Sequence, residues 1–380
     1  MIGPSRSILP FPGTSLTALM MASFWEKIRR TDFPIAKKFA YLDHASGGPI
    51  PAPVHRKILE YYQEHLRAGD LAWGKWIRRR EEVRAKVAKF IGASAEEVTF
   101  IPSTSQGMNY VAEILANQGT VLTNESEFPS STLPWIWRKA KIVYQKAEAM
   151  DRPPSSVKTI VTSFVQYATG FRQDLAAIGR AKKNRYLVVN ATQGFGAFPI
   201  DVKKSRIDFL CSNSYKWLMA GYGGGIFYMN KKWLARFRPA SVGWRSMCEP
   251  ERMDNQRTHL KSGASRYEMG CPPFPAIFAV GAAVDYLTLI GIERIAKRIL
   301  ELTDFVIEGL EKRGFEVVST KDRKHRSGIV VFKVKDAAKI QRRLLKKKIY
   351  VSPRGAGLRV SPHFYNTFED LEKLLKALES

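Results

Sequence analysis

Three short apolar runs, each closed by small or polar residues, crowd the stretch from 186 to 229. Tyr186 to Val189 runs into Asn190, Thr192 and Gln193. Ile207 to Leu210 runs into small polar residues and then Lys216. Ile226 to Met229 follows the loop Gly221-Tyr222-Gly223-Gly224-Gly225. Runs this short, continuously apolar and bounded by turn residues, read as buried strands. An open α/β sheet binds its ligand where such strands end, and that is where the polar residues stand. Lys216, between Tyr215 and Trp217, is a candidate Schiff-base nucleophile. A partly desolvated amine loses part of its charge and can attack a carbonyl. Spacing alone leaves a second reading open, a surface lysine beside a core tryptophan.

The same alternation extends upstream. Strands are expected at Val98–Ile101, Thr120–Thr123, Ile142–Tyr144 and Thr159–Val165, with helices at Met108–Leu115 and from Asp174 to Lys183. This predicts a mostly parallel central sheet covered by helices. Ahead of it, Pro51–Leu66 and Trp76–Ile91 carry apolar residues at helical spacing, and Ser23 to Lys27 begins a short helix. From 276 onward long helices (276–289, 292–313) precede short strands near 315–318, 328–334, 349 and 358, a basic helix at 337–347 and a last helix at 369–378. That pattern predicts a smaller C-terminal α+β domain, 276–380, after a large domain, 22–275. Residues 1–21, rich in Pro, Gly and Ser, are expected to be a flexible extension outside the fold.

Between strand 98–101 and the next helix lies Pro102-Ser103-Thr104-Ser105-Gln106-Gly107. Free backbone N–H groups, hydroxyls and the helix dipole converge there to favour a phosphate, although helix capping explains Ser and Thr equally well.

Composition narrows the class. Lysine and arginine number 61 against 35 acidic residues, a net charge of +26. A field of that sign attracts anionic partners, but the basic residues are scattered and no nucleic-acid motif accompanies them. Specific nucleic-acid binding is therefore not expected; a solvated basic surface is. No stretch reaches the roughly 20 apolar residues of a membrane helix. Cys211, Cys248 and Cys271 show neither paired nor metal-ligand spacing, which points to a reducing, cytoplasmic setting and no metal site.

Several segments together carry a resemblance. They are Asn190 to Gln193, Gly196-Ala197-Phe198-Pro199-Ile200-Asp201-Val202, Asp208-Phe209 and Tyr215 to Leu218. To these add Gln166-Tyr167-Ala168-Thr169-Gly170-Phe171-Arg172-Gln173-Asp174-Leu175, Arg266 to Pro272, and Leu358 to Thr367. From about residue 22 to the end the chain resembles the class V aminotransferases, fold type I enzymes dependent on pyridoxal 5′-phosphate. That family includes cysteine desulfurases and isopenicillin N epimerase-like proteins. The resemblance implies that Lys216 carries the cofactor, and that Thr104, Ser105 and Gln106 form the phosphate turn, with Asn213 and Tyr215 beside it. It implies that Phe128 stacks on the cofactor ring, that Asn190 faces the ring nitrogen, and that Gln193 bonds the ring oxygen with Gln166 nearby. Cys271 is implied to stand where relatives reach the other subunit's phosphate, which makes a homodimer. Arg359 is implied to clamp the substrate α-carboxylate, helped by Arg354, with Tyr167 and His44 in the pocket; a lone loop histidine such as His44 also has a structural reading.

Four positions depart from the family pattern. Asn190 stands for aspartate, Phe128 for histidine, Asn213 for serine and Cys271 for threonine. A neutral amide cannot hold the ring nitrogen protonated as a carboxylate does. Residues 319–358 contain no cysteine, which argues against desulfurase chemistry. The function implied is an aminotransferase-like reaction on an amino acid. Epimerase or lyase chemistry, and a catalytically weak cofactor-binding relative, are the alternatives.

Overall fold

The computed structural model describes residues 16–355 and 357–379. Residues 1–15, most of the expected extension, lie outside them. The first described helix, α1 (Leu16–Asp32), already begins inside that stretch and is longer than the short helix expected from Ser23. Next come β1 (Ala40–Tyr41), α2 (Ala52–Ala68), α3 (Trp73–Phe90), β2 (Val98–Ile101) and α4 (Thr104–Leu115). Then follow β3 (Thr120–Asn124), α5 (Pro129–Trp137), β4 (Ile142–Gln145), β5 (Val157–Ser163), α6 (Leu175–Ala181), β6 (Tyr186–Asn190), β7 (Phe209–Asn213) and β8 (Gly225–Met229). The remainder is α7 (Lys231–Leu234), α8 (Phe274–Ile290), α9 (Ile292–Glu311), β9 (Val330–Lys333), α10 (Ala337–Lys346), β10 (Ile349–Tyr350), β11 (Ser352–Arg354), β12 (Gly357–Val360) and α11 (Phe368–Glu379).

Seven strands form the main sheet in the order β2-β8-β7-β6-β5-β3-β4. Strand β8 is antiparallel to both its neighbours; the pairs from β7 to β4 are parallel. The fold is thus α/β with a mostly parallel sheet. Strands β6, β7 and β8 are buried along their whole length, which explains their unbroken apolar runs. Two hydrophobic cores flank the sheet. Asp208 sets the register of β7: its carboxylate accepts from the Leu187 N–H at 2.8 Å and pairs with Lys182 at 2.6 Å.

Two boundaries differ from expectation for physical reasons. Helix α4 starts at Thr104 rather than Met108, because the Ser103 hydroxyl accepts from the Gln106 N–H and caps it. The expected loop is therefore the helix's first turn. Strand β7 reaches Asn213, so its polar end lies inside the sheet. The strand expected at 315–318 reduces to a single bridge, Val317 to Phe332.

A third core gathers the second half of α9, β9, β12, α10 and α11. Ala40 and Leu42 join it from the N-terminal side, β1 pairing in parallel with β10. Helix α8 packs on α2 and α3 and contributes to the core of the large sheet. That burial explains its nearly all-round apolar surface; among the described residues no single helix is long and apolar enough to cross a membrane.

Candidate active site

Strands β6 and β7 deliver their polar ends to one place because they are adjacent and parallel, Asn190 pairing with Cys211. Just beyond β7 the chain turns sharply and sets down Lys216. The Ala220 N–H bonds to the Ser214 carbonyl, and the Gly48 N–H bonds to the Tyr215 carbonyl. Gly196, at φ +97°, lies so close to Trp217 that an added Cβ would meet the Trp217 carbonyl at 2.6 Å. Trp217 is pinned at both ends: its indole N–H donates to Gln193 Oε1 at 2.8 Å, and its carbonyl accepts from His363 Nε2 at 3.0 Å. His363 Nδ1 accepts from the Phe364 N–H, which fixes the tautomer. Lys216 is thus held by its neighbour on a rigid frame.

The Lys216 side chain is only 8% exposed. Burial, then the charges of Arg359 and Arg354, push its amine down to about 7, against a smaller opposing pull from Asp43. Its Nζ lies 5.7 Å from the Phe128 ring centre and 5.8 Å from that of Tyr215. Such an amine is substantially uncharged near neutrality, the state a carbonyl-attacking nucleophile needs.

A cleft opens in front of it, lined by Thr104, Ser105, Phe128, Tyr167, Asn190, Thr192, Gln193, Asn213 and Tyr215 among others. At one end, the first N–H groups of α4 have no intrahelical carbonyl to bond. The Thr104 and Thr192 hydroxyls meet there at 2.8 Å. Asn213 Oδ1 is buried without a partner. Behind Tyr167, a lining residue, stands Arg359, 1% exposed and held by Asp43 at 3.3 Å, by the Ser46 hydroxyl at 2.6 Å and by the Tyr167 carbonyl at 3.4 Å.

Some expected site residues stand elsewhere. His44 is fully buried behind the site, its Nδ1 on the Ser361 carbonyl and its ring against His363, Trp217 and Tyr365. Burial pushes it well below the ordinary histidine range, so it stays neutral and fills the core. Gln106 turns its amide to the Tyr110 hydroxyl, leaving only its backbone in the turn. Gln166 is buried beside Glu127, to which it donates at 2.9 Å. Cys271 is exposed and is not among the residues lining this chain's cavity. Asn190 lines the cavity, but its amide donates to the Ser131 hydroxyl and accepts from the Thr192 N–H.

Sequence reasoning passed over two buried acids. Asp43 sits between Arg359 and the Ser352 hydroxyl, 2% exposed. Glu127 accepts from Ser163, Asn124 and Gln166 and from the Phe128 N–H, so it fixes the base on which Phe128 stands. Asp43 directly follows the apolar run Ala40-Tyr41-Leu42, a signal in the sequence that marked it, whereas Glu127 sits among polar residues and carried no such signal.

A helix N-terminus with hydroxyls suits a phosphate, a buried near-neutral amine suits an aldehyde, and a hydrogen-bonding strand end between them suits a polar ring. This donor set fits pyridoxal phosphate, and the α/β fold around it is that of a pyridoxal-phosphate enzyme. The family model for aminotransferase class-V matches residues 40–374. The chain belongs to the class V aminotransferase family, whose members depend on pyridoxal 5′-phosphate. An uncharacterized aminotransferase of Bacillus subtilis, YcbU, is 27% identical, the match covering 89% of this chain and 93% of that one. A probable cysteine desulfurase of Methanothermobacter thermautotrophicus is also 27% identical, over 93% of this chain and 97% of that protein. The isopenicillin N epimerase of Amycolatopsis lactamdurans is 23% identical, over 95% and 99%. Among solved structures, the apo cysteine desulfurase of Thermococcus onnurineus superposes with a TM-score of 0.85 at 25% identity, covering 93% of this chain and 97% of that one.

Proposed function

We propose that this enzyme acts on an α-amino acid, with Lys216 as the covalent attachment point for pyridoxal phosphate and Arg359 as the ligand of the substrate α-carboxylate. The observation that carries this is a buried amine near pH 7 on the cavity wall with a buried guanidinium close enough to depress it and bonded to the cavity-lining Tyr167. The cofactor, when bound, supplies an electron-withdrawing ring. The chain's own residues do the rest. Thr104, Ser105 and Thr192 take the phosphate at the α4 N-terminus, while Phe128 and Tyr215 shape the walls around the ring. Arg359, prealigned by Asp43 and Ser46, orients the amino acid. Lys216 then holds or delivers the proton at Cα, since an amine with a midpoint near 7 serves as acid and as base.

Asn190 favours a second reading within the same family. Both ends of its amide are engaged by Ser131 and Thr192, and no carboxylate stands there to keep the ring nitrogen protonated. Epimerisation or elimination suffers less from a weaker electron sink than complete amino transfer does. Desulfurase chemistry is disfavoured: Cys211 is buried, its thiol pushed up by burial, and neither Cys248 nor Cys271 lines the cavity. The exposed Cys271 suits a homodimer in which that turn reaches the second subunit's site. Three free cysteines suit a cytoplasmic setting.

The test is borohydride reduction of the purified holoenzyme followed by peptide mapping. A pyridoxyl label on Lys216 is expected; a label on any other lysine would reject the assignment. A spectrophotometric screen of amino acids in deuterium oxide then separates the two chemistries. Conversion of the cofactor to its amine form marks amino transfer, and exchange at Cα without conversion marks epimerisation. Labelling of Lys216 with no response to any amino acid would leave only a cofactor-binding role.

A further inference from the structure

We propose that the amino acid taken by this site carries a second carboxylate, a dicarboxylic substrate, and that Arg354 receives it. This rests on the assignment of Lys216 and Arg359 above. Strands β11 and β12 form an antiparallel hairpin in which Ser352 faces Arg359 and Arg354 faces Gly357. Alternation along β11 puts Arg354 on the same side as Ser352, and cross-strand pairing puts Arg359 there too. That side faces the cavity wall: Ser352 donates to Asp43, and both arginines reach Tyr167, a lining residue.

The charges on this side do not balance. Asp43 is the carboxylate that meets Arg359. Arg354 is half-buried, its Nε is buried without a partner, and its guanidinium lies 5.9 Å from the Tyr167 ring centre. Among the described residues no acidic side chain is within ion-pair distance of it. Glu127, the other buried acid near the cavity, is turned to Ser163, Asn124 and Gln166 instead. The field of Arg354 bears on both Arg359 and Lys216, so two guanidiniums share one carboxylate beside an amine that they help keep uncharged. A substrate α-carboxylate on Arg359 leaves Arg354 uncompensated. A partly buried cation of that kind is stabilised by a bound anion and tolerates a neutral side chain poorly. Arg359, fastened on three sides, is the fixed carboxylate ligand. Arg354, next to Gly355 at the hairpin tip, is the residue left to read the side chain.

The experiment is a spectral titration of the holoenzyme with L-aspartate, L-glutamate and their amides L-asparagine and L-glutamine. At least one acid should bind about tenfold or more tightly than its own amide, the worth of one charge-assisted contact. In Arg354→Gln that ratio should fall toward one, and Arg354→Lys should recover part of it. Equal binding of acid and amide by the native enzyme would overturn the proposal, as would a ratio unchanged in Arg354→Gln; either result fits one carboxylate shared by both arginines. If L-alanine perturbs the spectrum and none of the four does, this inference fails while the function above stands. If no amino acid perturbs it, both fail.

Discussion

Two lysines are buried at opposite ends of the same sheet, and they have opposite fates. Lys182 follows α6 on the side where β7 begins; it is 5% exposed and pairs with Asp208 at 2.6 Å. Lys216 follows β7 on the other side; it is 8% exposed, and among the described residues no acid lies within bridging distance of it. Burial pulls both amines down, but Asp208 opposes that pull on Lys182 directly. For Lys216 the charges with the largest effect are two arginines, which add to the pull. Burial alone therefore does not make a nucleophile. A buried lysine with a carboxylate is a structural cation, and one facing guanidiniums is a reactive amine.

Exchanging roles at each end of the sheet tests this contrast. Lys216→Ala should abolish the carbonyl-linked absorbance of the bound cofactor and turnover with it, whereas Lys182→Met should leave that absorbance intact. Loss of the band in Lys182→Met but not in Lys216→Ala would reverse the comparison. Arg359→Ala should weaken amino-acid binding by about 2–5 kcal/mol, because it removes a buried charge-assisted contact and strands Asp43. Cofactor affinity, measured by equilibrium dialysis, should change far less; equal losses would place Arg359 in the wrong role. Lys182→Met should lower stability by about 1–3 kcal/mol, a few degrees in Tm by calorimetry. The cost is limited because Lys232 and the Trp233 indole also bond Asp208. A Tm unchanged within error would mean Lys232 suffices.

The smaller effects sharpen the electrostatics. Only the uncharged amine attacks, so uptake of pyridoxal phosphate by the apo form should speed as pH rises and level off above about 7. Below the midpoint the uncharged fraction falls about tenfold per pH unit. Asp43 raises the Lys216 midpoint, so Asp43→Asn should move the uptake curve to lower pH; a shift upward would refute that role. Last, Asn190→Asp should speed conversion of the cofactor to its amine form by a modest factor, about five- to tenfold, for a contact worth on the order of 1 kcal/mol. A slower reaction, followed by stopped-flow absorbance, would mean the neutral amide suits this site.

Much of the site was legible in the chain because strand ends and helix starts are local signals. The runs around 186–229 placed Asn190, Gln193 and Lys216 together before any coordinate, since parallel strands deliver their ends to one edge. Thr104 and Ser105 came from the family resemblance, because the strand–turn–helix pattern alone is explained equally well by helix capping; helix α4 claims both in its first turn. His44 was ambiguous for a physical reason: the sequence shows a histidine in a loop, and only packing against Trp217, His363 and Tyr365 makes it a core residue.

Local chemistry of the chain determined that strands buried on both faces would form an α/β sheet with polar residues at its ligand-binding edge; it made Lys216 a candidate there, and the family resemblance assigned it. Hydrophobic runs, turn residues and helix starts act over a few neighbours, so they can be read in order. The tertiary structure alone decided which charge meets which. Asp43 and Arg359 lie far apart in the chain, as do Lys216 and Arg354, and Coulomb energies depend on distance and burial in the folded molecule. The pairing of Asp208 with Lys182, and the want of such a pairing at Lys216, is a property of the packed sheet.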